Sequence, residues 1–381
     1  MTQKIYDVIV VGAGIFGSCT AFHCQKSGLK TLLLEQFKVG HSNGSSHGMT
    51  RIIRYAHAEK ECLPLVDDTY SQIAELEKQR NEKLWKNTGL LWAATGNQLE
   101  NISKILKDFK INHEIIDGEK IENRYPQFKF NSEWKALIDP MGGVIYANKW
   151  LNAFQTEFKN QGGKLQDLEE VKSYDDSADL VAIITNKGAY KTKKVVFTVG
   201  PWLAKLLPNI NFKIEPLSIA ACFWQPKDKA NAHLFSDDKL PAFIARDEIN
   251  QRSSYGLPGE DYPGTFKCCY HTGAPLDAEL NHPEKTPEQY ISWPGEFLKE
   301  HVPLADSSKP KHIDLCKYTM SPDHGYVLGP VSDNHPNLIV GGCGSGSGFK
   351  VAPAIGRVLS ELAAGKEPSI DISQFSPKRF N

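Results

Sequence analysis

The strongest constraint on this chain is a short apolar run that ends in Gly12-x-Gly14-x-x-Gly17. Tyr6-Asp7-Val8-Ile9-Val10-Val11 has the largely apolar character of a buried parallel strand, and a helical stretch follows the glycines to about Gly28. Thr31-Leu32-Leu33-Leu34-Glu35 supplies a second buried strand, which completes a βαβ unit. In such a unit Gly12 permits the tight turn, Gly14 lets backbone approach a pyrophosphate, and Gly17 lets helix and strand pack closely. The helix N-terminus offers N–H groups and a positive dipole to phosphate. Glu35, at the end of the second strand, can accept hydrogen bonds from a ribose. The pattern predicts a dinucleotide site and does not by itself separate FAD from NAD.

Length and charge bound the rest. At ~100–200 residues per domain, 381 residues imply two domains or one elaborate one. With 44 Lys+Arg against 45 Asp+Glu, the formal charge is -1, which gives no global reason to bind nucleic acid or an anionic membrane. No apolar run approaches the ~18 residues of a membrane helix. The strand at Tyr6 begins too early for a signal peptide, so a soluble intracellular protein is expected. The eight cysteines form no CxxC pair and are too sparse for a disulfide scaffold; most read as reduced core residues. No metal is expected. Arg379-Phe380-Asn381 is not a Ser-Lys-Leu-type peroxisomal address.

Further along, Leu65 to Leu76 has helical apolar spacing, and Lys194 to Val199 reads as a buried strand closed by Gly200-Pro201. The cluster Lys191 to Lys194 reads as a solvated turn before that strand. Pro216 to Tyr270 breaks into strand-like pieces suited to an antiparallel sheet. Asn337-Leu338-Ile339-Val340 is a strand, the glycine-rich run Gly341 to Gly348 a loop, and a helix to about Gly365 places Ile355, Val358, Leu359 and Leu362 on one face. A bare backbone at a helix N-terminus, with Lys350 close by, suits an anion or the electron-rich edge of a reduced flavin. Dinucleotide-type elements therefore stand at both ends and in the middle. The expected organisation is an α/β plus α+β chain: a Rossmann-like FAD-binding domain of glutathione-reductase type (1–84, 150–218, 320–381) interleaved with an antiparallel-sheet substrate domain (85–149, 219–319).

Strand alternation groups side chains further. Lys267, Cys269 and His271 share one face, opposite Phe266, Cys268 and Tyr270, and Cys316 shares a face with Tyr318. Arg51 and Arg54 bracket Ile52-Ile53, so at least one guanidinium is expected to be partly buried and to want a carboxylate.

These segments resemble the flavin-dependent secondary-amine oxidases, the sarcosine and N-methyltryptophan oxidase family, and especially its animal peroxisomal sarcosine/L-pipecolate oxidase branch. The resemblance rests on Gly12 to Gly17, Leu34-Glu35-Gln36-Phe37, His41 to Gly48 with Thr50 to Arg54, and Gly142 to Ala147. It continues through Tyr255 to Pro258, Lys267 to His271, Cys316-Lys317-Tyr318-Thr319, Gly348-Phe349-Lys350 and Arg379-Phe380, in the family's order across almost the whole chain.

The resemblance implies one FAD per chain, attached by a thioether to Cys316, with Val171 and His47 in the flavin's surroundings and Arg51 near the ring. It implies that Arg54 and Lys350 hold a substrate carboxylate, and that Tyr255, His271 and Tyr318 line the pocket. A backbone carbonyl near Gly346 would face the amine, Gly348 would lie by the cofactor, and Lys267 would assist O2. The implied activity is oxidation of a small secondary amino acid, sarcosine or L-pipecolate, by O2 to an imine and hydrogen peroxide. A monomer in peroxisome or cytoplasm is implied, with no nucleic-acid or membrane partner. The chain departs from the family where relatives often carry Gly-His-Gly, having Gly346-Ser347-Gly348, and in Pro322 to Gly329, which lacks a late acid. Three alternatives remain: a dehydrogenase passing electrons to a carrier, an NAD-dependent dehydrogenase, and a flavin-binding protein without catalysis.

Overall fold

The computed structural model describes residues 5–277 and 279–380. The first strand, Ile5–Val11, is the centre of an eight-stranded sheet. Its parallel part runs in the order Lys164–Gln166, Thr31–Leu34, Ile5–Val11, Ala189–Phe197, Leu338–Gly342. Val8 and Val10 pack into one hydrophobic cluster and Ile9 and Val11 into another, so both faces of the strand are covered. This is why it reads as a continuous apolar run. Helix Ile15–Lys26 crosses helix Ala352–Ala363 at Gly356, where a Cβ would lie 2.5 Å from that of Cys19.

Two expectations need correcting here. Lys191 to Lys194 is not a turn: it lies inside strand Ala189–Phe197, pairing with Ile5 and Tyr6 on one side and Val181 and Ala182 on the other. Buried Thr192 anchors the segment while Lys191 and Lys193 point outward. Gly341 and Gly342 belong to the last parallel strand rather than to the loop, because they pair with Leu328 and Val327.

The second sheet has ten strands, and its long member Glu215–Pro226 pairs with His312–Met320 along nine positions from Glu215 to Phe223. From there the order is Phe266–Tyr270, Arg252–Pro258, Ala242–Asp247, Leu90–Ala94, Lys135–Asp139, Glu114–Asp117. All these pairs are antiparallel except Ala242–Asp247 with Leu90–Ala94, which join through a long excursion of chain. Strands Glu215–Pro226 and His312–Met320 run through the expected boundaries at 218/219 and 319/320 and lie in this sheet along their whole length. A three-stranded sheet of Thr50–Ile53, Gly143–Tyr146 and Trp85–Asn87 links segments from both expected domains. The C-terminal ends of the parallel strands face the large sheet across a cavity of about 790 Å³. Open α/β sheets bind ligands at this edge.

Candidate active site

One end of the cavity is the glycine turn. Gly12 has φ +95°, and a Cβ there would come within 2.7 Å of the Thr198 carbonyl oxygen. A Cβ on Gly17 would lie 1.8 Å from the Gly12 carbonyl oxygen, so only glycine lets the helix start this close to the strand. Gly14 meets only the Ser46 hydroxyl, and its other side opens to the cavity. Glu35 accepts from the Ala13 N–H at 2.8 Å and the Phe37 N–H at 2.9 Å, bracing the turn as well as facing the cavity. Oε2 keeps a lone pair for a ribose hydroxyl, while Oε1 also has the His41 ring nitrogen at 3.4 Å. Val171 is buried on the same wall. The turn, the helix N-terminus and the acceptor carboxylate fit the adenosine and pyrophosphate of FAD.

The loop after Glu35 wraps the middle of the cavity. The Arg51 guanidinium donates to the carbonyls of Thr50, Ser45 and His47 and lies 5.3 Å from the Phe349 ring centre. Its partners are carbonyls, and it forms no ion pair among the described residues. The ring nitrogens of His47 approach the carbonyls of Gly44 and Leu315 at 3.0 and 3.2 Å, which ties the loop to the strand carrying Cys316. Burial, then the Arg51 charge, hold His47 below the usual imidazole range, so the neutral ring donates to only one of them. All eight cysteines are free, and Cys316 is the only one not fully buried; it opens into the cavity. Burial raises its thiol, while Arg51 and Lys267 act the other way.

The large sheet forms the floor, and its register brings the expected face together. Lys267 stands opposite Leu257, and Cys269 opposite Tyr255. Tyr255 in turn stands opposite Ile244. Tyr318, on the strand His312–Met320 of the same sheet, brings its hydroxyl within 3.4 Å of that of Tyr255. The His271 ring meets Tyr255 and Tyr318 edge-on at 5.6 and 5.7 Å. His271 faces the open cavity yet sits deep in the fold: burial first, then the charges of Lys350 and Arg54, bring it down to about 4. It is a neutral wall rather than a cation.

Lys267 is buried and donates to Thr50 Oγ1 at 2.7 Å, with Asp261 Oδ2 at 2.8 Å. Burial lowers Lys267 and Asp261 partly restores it; for Asp261, burial raises the carboxyl, but Lys267, the Met49 N–H and the Thr50 hydroxyl together outweigh it and the net shift is downward. The pair is ionised. Sequence reading missed Asp261, a loop acid with no periodic signal, which also accepts the Met49 N–H.

Arg54 and Lys350 meet at the far end. The Arg54 guanidinium lies 4.6 Å from the Trp92 ring centre, and its buried Nη1 has no hydrogen-bond partner. Lys350 donates to the Ser347 carbonyl at 2.8 Å; burial, then Arg54, push it down to about 7. Neither cation forms an ion pair among the described residues. Asp139, also missed from sequence, fixes the turn after Arg54 by accepting the N–H groups of Tyr55, Ala56 and Met141.

The glycine-rich loop closes the site. Cys343 and Ser345 take φ of +49° and +43° and Gly346 takes +75°, a tight left-handed run. A Cβ on Gly346 would lie 2.6 Å from Tyr318 and 2.8 Å from His271, and one on Gly348 would lie 2.7 Å from Phe16. Ser347 Oγ bonds the buried Tyr326 hydroxyl at 2.9 Å. Nearby, His57, Glu59 and Cys62 place ligand-type atoms within 4.8 Å of one another, but the charges of Arg54 and Lys350 act on both His57 and Cys62 and oppose a further cation.

Known proteins similar to this chain fall in one family. The family model described as FAD dependent oxidoreductase matches residues 7–362. The chain is 54% identical over 375 residues to a Caenorhabditis elegans protein named "Putative sarcosine oxidase", covering 98% of each. It is 34% identical over 385 residues to the Mus musculus peroxisomal sarcosine oxidase, covering 99% of this chain and 96% of the relative. The structure of NikD, an unusual amino acid oxidase of nikkomycin biosynthesis, superposes with TM-score 0.83 at 24% identity over 98% of each chain, a likeness of fold.

Proposed function

Because the chain belongs to the FAD-dependent oxidoreductase family of the sarcosine oxidases, we propose that it oxidises a small secondary amino acid of the sarcosine or L-pipecolate type, with FAD as cofactor and O2 as acceptor. The observation that carries this reading is the pair Arg54 and Lys350: two cations without an acid partner among the described residues, one keeping a buried donor with no hydrogen-bond partner, both lining the cavity that also holds the glycine turn. A buried guanidinium and ammonium side by side are costly without an anion between them.

The residues divide the work by position. Arg54 and Lys350 hold the substrate carboxylate, and the aromatic walls of Tyr255, His271 and Tyr318 confine the amine and its adjacent C–H. Much of the rate gain is then positional. Bound FAD supplies the two-electron acceptor and returns the electrons to O2, giving hydrogen peroxide. The substrate's C–N bond becomes C=N, and water hydrolyses the imine unless it is cyclic. Arg51 and Lys267 provide fixed positive charge where negative charge develops, and Lys267 assists O2.

Cys316 is the proposed thioether attachment point, supported by its access to the cavity; Arg51 and Lys267 offset only part of the burial that raises its thiol. The two large sheets, with the chain segments that carry them, are the proposed FAD and substrate domains. All these groups come from one chain, which supports a monomer. The described residues contain no helix long and apolar enough to cross a membrane, and the mouse relative's name supports a peroxisomal location over a cytoplasmic one. Anaerobic addition of sarcosine or L-pipecolate, followed by air, tests the activity. The flavin band should bleach and peroxide should follow.

A further inference from the structure

We propose that the preferred substrate carries a second anionic group, held by Arg246. The inference rests on the amine-oxidase reading above and narrows its substrate class to N-alkylated dicarboxylic amino acids.

The sheet register carries the argument. Side chains directly opposite on adjacent strands share a face, so Ile244 lies with Tyr255 and Arg246 with Ser253, on the cavity floor. Arg246 is exposed into the cavity mouth, and its guanidinium makes no hydrogen bond or ion pair among the described residues. Its charge nevertheless reaches His271 in the aromatic wall. Trp92, which carries the Arg54 guanidinium on its face, stands opposite Ile244. Trp92 and Arg246 are therefore one strand and two residues apart, about 8 Å between backbones. The Arg54 guanidinium over Trp92 and the long Arg246 side chain can grip the two ends of one small dicarboxylate.

The acids at this end of the cavity leave Arg246 without a partner among the described residues. Asp323 is taken by Arg379, which donates to both its oxygens at 2.6 and 3.0 Å. Asp139, beside Arg54, accepts three backbone N–H groups, and Glu59 is exposed at the rim. A planar guanidinium is also the better donor to a carboxylate than a lysine would be.

The test compares N-methyl-L-glutamate with its uncharged isostere N-methyl-L-glutamine, and with sarcosine, on the holoenzyme by peroxide formation. A charge-assisted hydrogen bond gained only by the acid predicts a kcat/KM advantage of about tenfold or more over the amide. In Arg246→Gln that ratio should collapse towards one, and because Arg246 is exposed the variant should fold. A ratio of one in the native protein, or one that survives Arg246→Gln, overturns the proposal. If sarcosine is oxidised while the acid has no advantage, only this inference fails. If none of the three reduces the flavin, the amine-oxidase reading fails and takes this inference with it.

Discussion

At the scale of single residues, the site is a set of cations whose partners differ in kind. Arg51 is satisfied by carbonyls, Lys267 by Asp261, and Arg54 and Lys350 by no acid among the described residues. This ordering gives separate predictions. Arg54→Ala should weaken apparent affinity for the amino acid by about 10–100-fold, the range for a lost bond to a charged group; unchanged affinity in flavin-bleaching titrations refutes the clamp. Lys350, brought down to about 7, loses its proton as pH rises through that value in the ligand-free protein. A bound carboxylate favours the protonated form, so affinity for a competitor such as acetate is highest below about 7 and falls above it. Lys350→Met should flatten that profile. Lys267→Met should keep anaerobic flavin reduction but lose most reoxidation. It also strands Asp261, at a cost of about 3–5 kcal/mol for breaking a buried pair, read as a lower midpoint of unfolding. Adding Asp261→Asn should recover stability but not reoxidation.

At the scale of elements, the site depends on loops held at fixed distances from strands. The run Cys343 to Gly346 places a left-handed backbone against the rings of Tyr318 and His271. Gly346→Ala adds a Cβ within 2.8 Å of both rings, so it should lower kcat/KM while the fold, followed by circular dichroism, persists. Asp139→Ala strands three N–H groups next to Arg54 and should destabilise the protein by about 2–4 kcal/mol in denaturant unfolding. Strand periodicity made the Lys267–Cys269–His271 face legible from sequence, and the glycine spacing did the same for the nucleotide turn. Asp261, Asp139 and Arg246 were not legible. Asp261 acts through Lys267 and the Met49 N–H, and Asp139 through the Tyr55 and Ala56 N–H groups, all brought near by tertiary packing. The third is defined by register between strands far apart in sequence. The lysine-rich segment misled because charged residues on an outward face do not reveal that the backbone is paired on both sides.

At the scale of the whole molecule, one chain builds a dinucleotide cradle on a parallel sheet and an aromatic, cation-lined floor on a second sheet, and joins them across one cavity. The βαβ opening and the apolar strands at Lys194 and Leu338 were legible in advance, and all of them lie in the parallel part of the first sheet. The ten-stranded order was hidden, since pairing such as Leu90–Ala94 with Ala242–Asp247 leaves no local pattern. If Cys316 carries the flavin, acid precipitation leaves a yellow pellet, and Cys316→Ala releases the colour to the supernatant. A white pellet from the native protein refutes the link. The central claim is that this cavity oxidises a secondary amino acid by way of its flavin, and anaerobic mixing with sarcosine, L-pipecolate and N-methyl-L-glutamate tests it most directly. The account predicts that at least one bleaches the flavin band and that air then restores the colour with an equivalent of hydrogen peroxide. A flavin band unchanged by all three would contradict it.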